Sequence, residues 1–135
     1  LEKISEFYGD QANSVMIDFK KEDMEDSYYA YKKCGQVKEK KIDKKFIYFL
    51  NNLKCGDIIF NSIDNDGNAG GINLDICKIF NSDINKPVLM MGGAGKPEHI
   101  YKTLMEKKVS GVVTANLFNF LGETKLGRRN QHEKV

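Results

Sequence analysis

Apolar runs and amphipathic segments alternate along this chain at lengths that suit strands and helices in turn. Residues 2–8 carry a helical pattern with Ile4, Phe7 and Tyr8 on one side, and residues 14–18 read as a short strand closed by the carboxylate of Asp18. A charged stretch follows, Lys20-Lys21-Glu22-Asp23. The segments 28–33 and 36–40 flank Gly35 and predict a hairpin inserted in the loop. Residues 42–54 form an amphipathic helix, with Phe46, Ile47, Phe49, Leu50 and Leu53 on the face expected to be buried.

Residues 57–63 are the clearest strand, followed by an Asp-Asn-Gly loop and a helix near residues 74–80. A further strand at 87–91 runs into Gly92-Gly93-Ala94-Gly95. Pro97 suits the first turn of the next helix, which extends to about residue 107. Residues 110–115 give another strand, and a short helix starts at Asn116. Strands spaced by roughly 25 to 45 residues, with helices between them, are the signature of parallel βαβ units. Four such units make half of an eight-stranded (β/α)8 barrel, whose usual length is about 250 residues. The expected fold class is therefore α/β, a half-barrel at 1–120 with a polar tail at 121–135 that should fray.

Composition narrows the function classes. The chain has 135 residues, 41% of them hydrophobic and 30% charged, which fits one modest globular domain. A net charge of +2 is too small to argue for nucleic acid or an anionic membrane as partner. No apolar run reaches the roughly 18 residues of a membrane span. The N-terminus is charged and amphipathic, unlike a signal peptide. Cys34, Cys55 and Cys77 are odd in number and lack metal-site spacing, which suits a reducing cytoplasm. Leu1 in place of Met suggests a piece of a longer product.

The candidate chemistry lies at the strand ends, where a (β/α) barrel carries its active site. Gly92, Gly93, Ala94 and Gly95 would let backbone N–H groups approach an anion, with the positive end of the next helix aimed at the same place. Thr114-Ala115-Asn116 offers a second set of N–H groups, and loops after the last two barrel strands often share a phosphate. A tight turn that needs glycine for its geometry is the alternative. Asp18, Asp64 and Asp66 could serve as general acid or base if their environment tunes them. Turn capping is the alternative, and the favoured one for Asp64. The Asp64-x-Asp66 pattern lacks the later ligands of a calcium loop. His99 and His132 are expected on the surface, and the lysines of 38–45 on a solvated helix start. No metal site and no cofactor are expected.

Three motifs, taken together, resemble the cyclase subunit of imidazole glycerol phosphate synthase. They are Ser62-Ile63-Asp64-x-Asp66-Gly67, Pro87-x-x-x-x-Gly92-Gly93-Ala94-Gly95-Lys96-x-x-His99, and Ala115-x-Leu117-Phe118-x-Phe120. The likeness runs from about Leu1 to Phe120 and covers the C-terminal half of that family's barrel, strands five to eight. It implies a barrel that takes ammonia from a glutaminase partner, closes the imidazole ring of a phosphorylated ribotide and cleaves it. Asp18 matches one of the family's two general acid/base aspartates, and the other would lie upstream of Leu1. Asp66 and Gly67 match the loop near the substrate, with Asn61 and Gly92 and Gly95 beside it. Gly93, Ala94, Ala115 and Asn116 match the loops that hold one substrate phosphate. Asp57 falls at the ammonia entrance.

Several positions depart from the family pattern. Met91 stands for a small polar residue, Asn61 and Asn68 for threonines, Asn116 for a serine at the phosphate, and Cys34 for a serine in the strand-five insertion. The tail after Gly122 does not resemble the family's terminal helix. These changes resemble a second branch, cyclase-like proteins thought to pass ammonia to a sugar amidotransferase in surface-sugar pathways. A half-barrel alone would also leave open sheet edges and one uncovered apolar face, so self-association into a homo-oligomer is a further expectation.

Overall fold

The computed structural model describes residues 1–80, 83–115 and 117–119. Helix α1 (Glu2–Tyr8) leads into strand β1 (Ser14–Glu22) and a hairpin of β2 (Ser27–Lys32) and β3 (Val37–Lys41). Three helix–strand units follow: α2 (Lys44–Asn51) and β4 (Asp57–Ser62), α3 (Cys77–Phe80) and β5 (Val88–Met91), α4 (Pro97–Leu104) and β6 (Val109–Val113). A 3-10 turn at Leu117–Asn119 comes last. Asn116, Phe120 and the expected polar tail, with His132, lie outside the described residues.

The strands form one sheet in the order β3-β2-β1-β4-β5-β6. β1, β4, β5 and β6 pair in parallel, as their spacing predicts. The hairpin adds two antiparallel strands outside β1. The chain is α/β, with the four parallel strands of a (β/α)8 half-barrel.

Alternation along each strand separates two faces. Phe19, Ile58, Phe60, Val88 and Met90 point toward the helices and are fully buried there with Ile47, Leu50, Ile76 and Phe80. A chain of rings crosses this layer. Tyr28 meets Phe19 edge-on at 5.8 Å, Phe19 meets Phe60 at 6.3 Å, and Phe60 stacks on Phe80 at 4.8 Å. Each contact is worth about 0.5–1.5 kcal/mol beyond the area it buries. The opposite face is bare. Met16 is 49% exposed, and Ile59, Leu89 and Gly111, in register with it, are half-buried.

The structure corrects or extends the sequence reading at several points. β1 does not close at Asp18. It runs on to Glu22 because residues 18–22 pair antiparallel with β2, while its parallel pairing with β4 ends at Phe19 and Ser62. Helix α1 forms, but it buries none of its residues, and Phe7 is 82% exposed. Phe49 lies off the buried stripe of α2. At about 100° per residue Phe46, Ile47 and Leu50 share one side and Phe49 falls outside it, half-covered by the Lys40 ammonium 5.4 Å above its ring. His99 is half-buried and hydrogen-bonded instead of lying free on the surface. Both longer helices open as their sequences suggest. Asp43 caps α2 by accepting the Phe46 N–H at 3.0 Å, and Pro97 begins α4.

Candidate functional site

Four residues stand side by side at the C-terminal ends of the parallel strands. Asp18, Asn61, Met91 and Val113 are successive partners across β1, β4, β5 and β6. With strands about 4.8 Å apart, Asp18 and Met91 are roughly 10 Å from each other. Asp18 and Asn61 are the polar members of this row. Asn61 is 6% exposed, and its Nδ2 donates to Asp18 Oδ1 at 2.9 Å. The carboxylate can only accept, so it dictates which way the amide faces. The Asn61 Oδ1 is left buried without a hydrogen-bond partner among the described residues.

The loop after β4 is built from its own amides. Asn65 and Asp66 N–H groups return to the Ser62 carbonyl, and the Ser62 hydroxyl donates to Asn65 Oδ1 at 2.9 Å. Asn65 Nδ2 then reaches the Gly71 carbonyl at 2.9 Å. Asp64 is exposed and sits 3.7 Å from the Lys20 ammonium. Asp66 is exposed, and Gly67 beside it takes a φ of +77°.

The glycine loop packs onto this loop at distances only glycine permits. A Cβ on Gly92, at φ +95°, would come 2.4 Å from the Ser62 carbonyl oxygen. One on Gly93 would come 2.3 Å from that of Gly71, and one on Gly95 would come 2.4 Å from the Ala69 Cβ. The Gly71 N–H donates to the Gly93 carbonyl at 2.8 Å, and the Gly95 N–H donates to His99 Nδ1 at 3.1 Å. Ala94 is half-buried and Ala115, after β6, is exposed. The sequence reading gave no part in the site to Asn65 or to His99, which join the loops. The available signals were the place of His99 in the family motif and its position one helical turn after Gly95.

Asp57 lies at the opposite, N-terminal end of β4, on the same bare face as Ile59 and Asn61. Its Oδ1 is buried without a hydrogen-bond partner among the described residues. No group of three His, Cys, Asp or Glu side chains that could hold a metal occurs among the described residues, and none of their helices is long and apolar enough to cross a membrane.

A parallel βα sheet with its polar residues gathered at the strand ends fits half of a (β/α)8 barrel. The chain belongs to the histidine biosynthesis protein family, which it matches over residues 1–125. A Parasynechococcus marenigrum protein provisionally named imidazole glycerol phosphate synthase subunit hisF2 is 32% identical across 99% of this chain and 50% of its own length. The imidazole glycerol phosphate synthase subunit HisF of Chlorobium limicola is 32% identical across 89% of this chain and 47% of its own. That of Leptospira biflexa is 28% identical across 99% and 52%. The likeness to the cyclase subunit read from the motifs is thereby borne out. The chain spans about half the length of these relatives.

Proposed function

We propose that this chain is the C-terminal half of an ammonia-dependent cyclase/lyase that forms imidazole glycerol phosphate within a glutamine amidotransferase complex. The observation that carries the reading is the Asp18–Asn61 pair in register at the strand ends, beside a glycine loop. Asp18 acts as one general acid/base, and the second aspartate comes from the upstream half. The Gly93 and Ala94 N–H groups, with Ala115 and Asn116, hold a phosphate of the ribotide substrate, and Gly92 and Gly95 set that loop against the residues 65–71. Asp66 and Gly67 border the substrate. Asp57, whose buried oxygen is unpartnered among the described residues, lines the ammonia entrance and takes its counter-charge from the missing half. The partner is a glutaminase subunit, and the complex works in the cytoplasm without a cofactor.

Turnover of the complete protein with ammonium salt and the ribotide substrate tests this. Asp18→Asn should lower turnover by about 100-fold or more, the usual contribution of a general acid or base. Unchanged turnover would remove Asp18 from the mechanism.

Two observations favour other readings. Asn61 and Met91 depart from the cyclase pattern, and a relative named hisF2 matches as well as any cited above. They support a cyclase-like paralogue that passes ammonia to a sugar amidotransferase, for which the complete protein would show no cyclase turnover while still binding a glutaminase. The bare sheet face supports self-association of this half on its own. Light scattering that finds only a folded monomer contradicts that last reading.

A further inference from the structure

His99 lies in the family motif and binds the Gly95 N–H, but it is not itself a phosphate donor in the proposed site. Building on the phosphate reading just proposed, we infer that His99 is a positioning residue for the glycine loop. It holds the Ala94–Gly95 peptide, so that the Ala94 carbonyl stays clear of the phosphate group bound by the Gly93 and Ala94 N–H groups.

The geometry runs from both sides of Ala94. The Gly71 N–H binds the Gly93 carbonyl at 2.8 Å. In a trans peptide the C=O and N–H point in opposite directions, and the described residues contain no cis bond. The Ala94 N–H is therefore turned away from the loop at 65–71. On the other side the Gly95 N–H binds His99 Nδ1 at 3.1 Å, which turns the Ala94 carbonyl away from the histidine. Both peptide planes that flank Ala94 are fixed, one by a backbone donor and the other by a side-chain acceptor.

Among the described residues the second plane has this one hydrogen bond, beside the packing of Gly95 on Ala69. Lys96, the residue before α4, makes no side-chain cap, and Pro97 has no N–H to offer. From within the first turn the His99 ring reaches back past Lys96 to accept the Gly95 N–H. The His99 ring also lies 3.8 Å from where a Gly71 Cβ would sit, so it is held between the two loops. Among the described residues the Gly93 and Ala94 N–H groups have no assigned acceptor, whereas the Gly95 N–H is committed to the histidine. The cradle thus offers the anion two loop donors. Without His99 the Ala94–Gly95 peptide keeps its packing on Ala69 but loses its hydrogen bond, and a carbonyl tilted toward the anion repels it.

Calorimetric titration of the complete protein with inorganic phosphate tests this without requiring turnover. Asn places its amide oxygen near the histidine Nδ1, whereas Phe fills the space and accepts nothing. His99→Asn should bind phosphate within about threefold of the unaltered protein, and His99→Phe about tenfold more weakly, the equivalent of one lost hydrogen bond of about 1.4 kcal/mol. His99→Leu is a second acceptor-free variant should the Phe variant fail to fold, and thermal midpoints are recorded for all. Equal affinity in every variant, or retention by Phe with loss in Asn, would overturn the role of His99 and leave the phosphate site standing. No phosphate binding by the unaltered protein would overturn the site and this role together.

Discussion

The Asn61 amide donates to the Asp18 carboxylate across the β1–β4 pairing, at 2.9 Å, and leaves its own oxygen without a donor among the described residues. A buried orphan oxygen costs about 1–3 kcal/mol, while a hydrogen bond to a charged group returns a similar amount. Asn61→Leu removes both, so the unfolding free energy should move by no more than about 1 kcal/mol. Turnover of the complete protein should fall about tenfold or more, because Asp18 loses its orienting donor. Denaturant unfolding and steady-state rates on one preparation separate the two effects, and undiminished turnover would show that the amide does not serve Asp18.

Gly92 and Gly67 both adopt positive φ, yet they differ in surroundings. A Cβ on Gly92 would strike the Ser62 carbonyl oxygen at 2.4 Å, whereas one on Gly67 would meet nothing within 4 Å. Gly67→Ala should cost only the left-handed backbone strain of about 1–2 kcal/mol. Gly92→Ala should cost about 3 kcal/mol or more, since backbone must shift as well. Equal losses in chemical denaturation would mean that the β5 loop yields where the structure shows it tight.

The three cysteines should separate into one fast and two slow thiols. Cys34 is exposed on the hairpin turn, while Cys55 and Cys77 are buried. Burial raises the Cys55 thiol above its ordinary range and pushes Cys77 up to about 12, so neither offers much thiolate to a reagent. Native-state labelling with a disulfide reagent should modify Cys34 first, and the other two only on unfolding. Cys34→Ser should abolish the fast phase.

Alkali should loosen the hairpin. The Tyr31 hydroxyl donates to the Glu22 carboxylate, and this hydrogen bond, more than burial, pushes its pKa up to about 12. The folded chain therefore keeps a phenol that the unfolded chain ionises near 10. This contribution is complete below about pH 10 and is lost as pH rises through about 12. Phenolate absorbance should show Tyr31 titrating late, and Glu22→Gln should bring it back toward the ordinary tyrosine range. A Glu22→Gln profile identical to that of the unaltered chain would assign the shift elsewhere.

The parallel units were legible because each strand is a short apolar run ended by Asp, Asn or Gly, and each helix has a clear stripe. The hairpin was legible from Gly35 between two alternating segments. What stayed hidden depends on partners distant in sequence. β1 continues past Asp18 because β2 pairs with its charged half, which composition alone would assign to a loop. The apolar side of α1 is genuine in pattern, yet none of its residues is buried by the described residues. At the site, the residue types of Asp18, Asn61 and the glycines could be read directly. The Asn61–Asp18 bond required the strand register, and the Gly95–His99 bond required the path of the loop into α4.

The hairpin also decides what β1 can still accept along its outer edge. β2 occupies that edge from Asp18 to Glu22, which leaves residues 14–17 open beside a wall of antiparallel strand. An incoming parallel strand can slide only as far as that wall before its end abuts β2. A slip of one residue would turn its side chains to the wrong face, so such a stop sets the alignment of the neighbour as well as its depth. The insertion thus limits where a further parallel strand could join the strand that carries Asp18.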